Sequence, residues 1–251
     1  MPETETLLRT LLGVAVLAVI ATAVLSAARV PHRTASALAI LRGAAQLAAL
    51  GAVLSGVITD ARWVALALAV MTGVAAVTAA RRLGGLRRRI GLVGTGMAAG
   101  ILTSLLVVFA TGAIALTPRY ALAIGGIVIG NAMTTATLAG RRVLQAADDR
   151  WDQVEGWLAL GATPRQATLD VARHGLREAV IPSIDQTRTT GLVTLPGAFV
   201  GAIFGGISPL EAGRFQIVVL AALMATAAVT AALVAFRLAP VARKGDGGVG
   251  R

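Results

Sequence analysis

The 251-residue sequence has no cysteine, one lysine (Lys244) and two histidines, His32 and His174. Without thiols there is no disulfide framework, and a Cys/His zinc site is excluded as well. Lysine scarcity excludes a second class. A P-loop needs a lysine directly after a glycine at fixed spacing, and Lys244 stands in the C-terminal tail with no such run around it, so this chain by itself is not a P-loop ATPase. Acids are few, 12 against 23 Lys plus Arg. No HExxH occurs, and no cluster of carboxylates lies inside the apolar stretches to relay protons. The glycine-rich run GTGMAAG at 94–100 misses the dinucleotide-binding spacing and reads as helix packing.

What remains is apolar. Hydrophobic residues make up 56% and charged residues only 14%, where soluble domains carry roughly a quarter. Mean hydropathy is +0.79. Seven stretches approach the roughly 20 residues needed to span a bilayer: 7–28, 35–59, 63–80, 91–113, 119–140, 189–207 and 213–237. The first starts with Glu3 and Glu5 where a signal peptide would be cationic, so it is expected to stay as a helix. A net charge of +11 could point to nucleic acid, but the arginines fall between apolar stretches, as membrane topology requires. With the N-terminus outside, 18 of the 23 Lys and Arg lie on the inner side, which predicts seven crossings with the C-terminus in the cytoplasm. The expected fold class is therefore an all-α polytopic membrane protein, with residues 1–240 as a single transmembrane domain and 241–251 as a disordered tail.

One connection is long, residues 141–188. Thr163-Pro164-Arg165-Gln166 carries a capping box with proline at the first helical position, predicting a helix over 164–179. Before it, Trp151 to Leu160 is amphipathic and ends at Gly161, a glycine C-cap. Ser183-Ile184-Asp185-Gln186 repeats the capping pattern, which places a helix start at the inner membrane face with Arg188 marking the boundary. Behind it, Pro196 is expected to kink the sixth span as a hinge, and Gly197, Gly201 and Gly205 give a face for close helix packing or for sliding. Ser208-Pro209-Leu210-Glu211 caps the seventh span. In the fifth span Asn131 falls near mid-membrane, with Thr134 and Thr135 beyond it, and an amide there serves as interhelical glue or as a substrate contact. Arg42 and Gln46 share a face of the second span, where Arg42 either snorkels or lines a path.

The stretch EGWLALGAT, with Glu155 and Gly161 six apart, resembles the EAA loop of ABC transporter permeases. Gly156 and Trp157 stand in place of the usual two alanines, and Ile181-Pro182 comes later than in that loop. Together with IGNAMTTATLAGRR, IPSIDQTRTTGLVTLPGAFVGAIFGG and SPLEAGRFQIVVL, it makes the chain similar to the bacterial YbbM/FetB-type permease family. That family is described as the membrane subunit of an iron-export ABC transporter, with plant relatives linked to aluminium tolerance and nucleotide-sugar transport. The resemblance implies a homodimeric or paired membrane domain in the bacterial inner membrane, working with a separate ABC ATP-binding subunit. ATP and Mg would be bound on that subunit and no cofactor by this chain. Coupling would fall to Glu155, Trp157, Leu160, Gly161, Ala162 and Thr163. The pathway and gating segments would be Gly130 to Thr137 and Asp185 to Gly205. The spans hold essentially no Asp or Glu, so no metal site is expected in them. A chelated or anionic cargo such as a nucleotide sugar, contacted by Arg42, Gln46, Asn131 and threonines, fits these residues better than a bare ion. An ATPase-independent channel is the rival from another class.

Overall fold

The computed structural model describes residues 3–29, 35–57 and 60–248. Among them the chain is all-α. The helices are α1 (Glu3–Ala27), α2 (Ala35–Val57), α3 (Ala61–Arg82), α4 (Leu86–Ala110), α5 (Pro118–Asp149), α6 (Trp151–Ala159), α7 (Pro164–Ala167), α8 (Leu169–Thr189), α9 (Gly197–Phe204) and α10 (Pro209–Leu238). Two 3-10 turns follow, Ala239–Val241 and Asp246–Gly248. Helices α1, α3, α4, α5 and α10 are long and apolar enough to cross a membrane, and α2 contributes a shorter apolar run, Ala35–Ala49. His32, Ile58 and Thr59, the latter two ending the expected second span, and residues 249–251 of the tail lie outside the described residues.

The chain divides into two compact units, Met1–Val57 and Ile58–Arg251. In the first, α1 packs on α2. Most of its large apolar side chains are exposed, Leu8, Leu12 and Leu47 among them, as suits surfaces that meet lipid. Arg42 and Gln46 stand exposed on α2.

In the second unit, α10 packs against α4, α5 and α8, while α3 packs against α4 and α5. Lipid supplies no hydrophobic drive between helices, so close van der Waals fit has to hold them, and small residues provide it. On α4, a Cβ at Gly96 would stand 3.0 Å from Val234, and one at Gly100 would stand 2.9 Å from the Thr226 carbonyl of α10. GTGMAAG is thus a helix-packing run. Gly140 of α5 lies directly against the buried Leu83 side chain. Alanines 132, 136 and 139 of α5 and 231 and 235 of α10 have no exposed surface.

Arginines mark the two ends of this bundle. Arg119 and Arg141 of α5 are 22 residues apart, about 33 Å at the helical rise. Arg214 and Arg237 bracket α10 in the same way. The end with Arg81, Arg82, Arg87, Arg88, Arg89, Arg141 and Arg237 is the basic end.

The sixth crossing differs from expectation. Residues 189–207 do not form one kinked span, and no helix starts at Ser183. Helix α8 begins at Leu169 and runs through Pro182 and the whole Ser183–Arg188 stretch to Thr189. The Ser183 pattern does not act as a cap because Ala179, Val180 and Ile181 are already helical and Ser183 is 7% exposed inside α8. The chain then breaks over 190–196, where Gly191 takes φ +87. The Thr189 carbonyl accepts from the backbone N–H of Val193 at 2.9 Å and of Thr194 at 3.2 Å, closing a tight turn. Pro196 does not kink a helix: with φ −62 and ψ 139 it is the N-cap of the eight-residue α9. A proline also biases the residue before it, Leu195, away from helix. The glycine ladder packs nothing inside this unit, since a Cβ at Gly197 or Gly201 would meet no atom within 4 Å and α9 has no buried residue.

The expected tail begins with structure. The Asp246 carboxylate pairs with Arg89 at 3.1 Å and Arg88 at 3.8 Å, and the Gly245 N–H donates to Asp148 at 2.6 Å. Arg89, 4% exposed, also donates to the Leu83 carbonyl. Residues 239–248 therefore tie the start of α4 to the end of α5.

Candidate functional site

Two places in the second unit gather the polar residues singled out by the sequence. The first is at mid-depth between α5 and α8. Asn131 lies 12 residues from Arg119 and 10 from Arg141, so it sits near the middle of the span. A cavity of about 260 Å³ is lined by Gly130, Asn131, Thr134 and Thr135 of α5 and by Ala179, Pro182, Ser183 and Gln186 of α8. The half-buried Asn131 donates through Nδ2 to the Leu223 carbonyl of α10 at 2.9 Å, leaving its Oδ1 without an intrachain donor among the described residues. Thr134 donates to the Gly130 carbonyl at 3.1 Å, and Thr135 is 3% exposed. Gln186 and Ser183 were missed as members of this site because their pattern reads as a cap. The available signal was their seven- and four-residue spacing from Ala179, on the small face by which α8 meets α5.

A second polar layer crosses the same bundle. Ser104 Oγ lies 3.0 Å from the Ala222 carbonyl and 2.7 Å from Thr226 Oγ1, which itself donates back to Ala222 at 2.8 Å. These hydroxyls satisfy one another in the interior and bind α4 to α10.

Asp185 and Arg188 share α8 with Gln186 but lie on its exposed side. Because Gln186 lines the cavity beside Asn131, both charges are at mid-span depth rather than at a membrane boundary. Facing hydrocarbon, each would cost about 2.5–3.5 kcal/mol on insertion scales. Beyond them the broken segment leads to α9, whose Ala198 and Ala202 line a larger cleft of about 770 Å³ at the end opposite the basic one. Arg119, Arg214 and Glu211 rim that cleft, and Tyr120 and Phe215 form its aromatic wall with ring centroids 5.8 Å apart. The ladder residues Gly201 and Gly205 are exposed along α9.

The second place is α6–α7 at the basic end. Gly161 adopts φ +90 and forms a full Schellman cap: its N–H donates to Leu158 and that of Ala162 to Trp157, both at 3.0 Å. The capping box at Thr163 is present, with the Gln166 amide oxygen accepting from the Thr163 N–H at 2.9 Å. These two local devices fold the loop into a helical hairpin. Only Val154 of α6 is buried, so Trp157 (57% exposed), Leu160 (81% exposed) and Glu155 project outward. Ala162 is half-buried against the core. Thr168 interrupts the expected 164–179 helix for one residue, and α8 then continues. Helices α6, α7 and α8 thus follow one another in close succession, and α8 is the helix that lines the mid-depth cavity.

Among the described residues no group of three His, Cys, Asp or Glu could hold a metal ion.

The family model described as "Uncharacterised protein family (UPF0014)" matches residues 8–240. The UPF0014 membrane protein STAR2 of Oryza sativa subsp. japonica is 38% identical over 197 residues, 78% of this chain and 69% of that protein. Protein ALUMINUM SENSITIVE 3 of Arabidopsis thaliana is 36% identical over 193 residues, 76% of this chain and 71% of that protein. The probable iron export permease protein FetB of Escherichia coli (strain K12) is 38% identical over 132 residues, 53% of this chain and 50% of that protein. No solved structure matches. The apolar helices and a family match across nearly the whole chain lead to one assignment: this multi-pass membrane protein belongs to the UPF0014 family.

Proposed function

We propose that the chain is the membrane-spanning permease subunit of an ABC transporter, moving its cargo when a separate ATP-binding subunit closes and opens two membrane halves. The observation that carries this reading is the hairpin α6–α7, which exposes Trp157, Leu158 and Leu160 at the basic end and is continuous with α8. Exposed apolar side chains on a well-capped short helix fit a groove on a partner protein. ATP and Mg act on that partner, and the conformational cycle is driven by its different affinities for two states of the permease. The arginine distribution supports an inner-membrane orientation with the basic end and the C-terminus in the cytoplasm.

One relative carries the name of a probable iron export permease, and iron export is the first reading of the cargo. The mid-depth cavity offers amides and hydroxyls instead of carboxylates or imidazoles, which favours iron in chelated form, or another anionic cargo, over a bare ion.

Co-purification of the native chain with the ATP-binding subunit tests the coupling. Glu155→Lys or Gly161→Trp is expected to cut recovery at least tenfold while the chain remains in the membrane. Full ATPase recovery with both variants, or transport that persists with no ATPase present, would replace the permease by a channel. Uptake into inverted vesicles, with ferric iron, iron chelates and nucleotide sugars compared side by side, tests the cargo.

A further inference from the structure

The cleft at the end opposite the basic one has an apolar interior and a charged mouth. Ile127, Phe215 and Val218 line its interior, while Arg119, Arg214 and Glu211 stand at its rim. Ile127 follows Arg119 by eight residues on α5, which places it about 12 Å deeper at the helical rise. An inorganic phosphate matches the mouth but not the apolar wall behind it, so the shape suits an amphiphile. Neither arginine forms an ion pair among the described residues. Glu211 accepts from the Ser208 hydroxyl at 3.1 Å. Two arginines against one glutamate leave the mouth with one net positive charge. An independent feature is α9, none of whose eight residues is buried, although a helix that short does not hold without packing. Ala198 and Ala202 of α9 form one wall of the cleft, so an occupant of the cleft packs on that helix too.

We propose that this cleft binds an anionic phospholipid of the phosphatidylglycerol type from the surrounding bilayer, with its phosphodiester between Arg119 and Arg214 and one acyl chain along Ile127 and Val218 beside α9. A phosphodiester carries a single negative charge, which balances the mouth, and the planar fork of an arginine holds two phosphate oxygens at once. The hydroxyls of a glycerol head donate to Glu211. A zwitterionic head brings no net charge and leaves that of the mouth uncompensated. Tyr120 and Phe215, with ring centroids 5.8 Å apart, give the cleft an aromatic wall of the kind that settles at headgroup level. The bound lipid then seats α9 against α10. The proposal goes beyond the permease reading, because it concerns a lipid site and needs neither an ATPase nor a cargo.

Native mass spectrometry of the full chain, delipidated in detergent and then offered one probe at a time, tests this. The probes are phosphatidylglycerol, phosphatidylethanolamine and phosphatidylcholine with the same acyl chains, and glycerol 3-phosphate as a soluble phosphate. The fraction of chains retaining one phosphatidylglycerol is expected to exceed that for either zwitterionic lipid at least tenfold, with no retention of glycerol 3-phosphate. Arg119→Gln combined with Arg214→Gln should lower that fraction at least tenfold. Ala202→Trp, which fills the cleft from α9 and keeps both arginines, should lower it as much. Arg81→Gln combined with Arg87→Gln removes the same charge from exposed positions at the basic end and should leave it unchanged. Equal loss with the basic-end pair would assign binding to overall charge, and no loss with Arg119→Gln and Arg214→Gln would assign it to apolar contact alone. Glycerol 3-phosphate held as tightly as the lipid would make this a site for a soluble anion. Each of these results would overturn the proposal. Equal retention of the three lipids by the unaltered chain would overturn it as well, even where a variant fails to fold.

Discussion

At the scale of single residues, glycines with similar neighbours in sequence have different physical roles. Gly100 is held by space: a Cβ there would press on the Thr226 carbonyl and the Thr230 hydroxyl, and backbone cannot yield as a side-chain tip can. Gly100→Ala is expected to lower stability by about 1–3 kcal/mol through overpacking, read as a fall in the melting temperature of the detergent-solubilised chain. Gly191 is held by conformation instead, with φ +87 and no atom within 4 Å of its would-be Cβ. Gly191→Ala should cost about 1 kcal/mol from backbone strain alone, by the same measurement. Spacing in the sequence does not distinguish these cases. The 197–201–205 ladder has the more regular pattern, yet a Cβ at Gly197 or Gly201 would meet no atom within 4 Å and one at Gly205 only carbonyls of its own helix, whereas the irregular GTGMAAG run seats α4 on α10.

At the scale of elements, short-range capping signals were legible wherever the residues before them could not continue a helix. Thr163 with Gln166, Ser208 with Glu211 and Gly161 all act as their patterns predict, because a cap involves only a few neighbouring backbone groups. Ser183 with Gln186 has the same letters and no capping role. There the preceding Ala179–Pro182 segment packs on α5, with Gly175 set tightly against Val143, and this tertiary contact keeps the helix going past a proline that removes one of its hydrogen bonds. The consequence for the site is large. The polar stretch moves from a membrane boundary to mid-depth, and Gln186 and Ser183 join Asn131.

At the scale of the whole molecule, the C-terminal clasp links the turn between α3 and α4 to the end of α5, next to the proposed coupling hairpin. Arg89 is almost fully buried, and its compensating charge is Asp246. Asp246→Ala leaves that guanidinium without its carboxylate and should destabilise the chain by about 1–3 kcal/mol. Asp246→Asn should recover part of the loss through hydrogen bonding, and thermal melting in detergent compares the two. The sequence by itself determined the membrane class, the all-α fold, the basic end and the local caps, because hydropathy, arginine placement and capping depend on composition and near neighbours. Only the tertiary structure decided where the expected sixth span breaks, which polar residues share a cavity, that the tail is clasped, and that Asp185 and Arg188 lie level with Asn131 with no ion pair among the described residues. Depth in the bundle and the presence of a packing partner depend on which helices meet, and residue spacing along one helix carries no record of that.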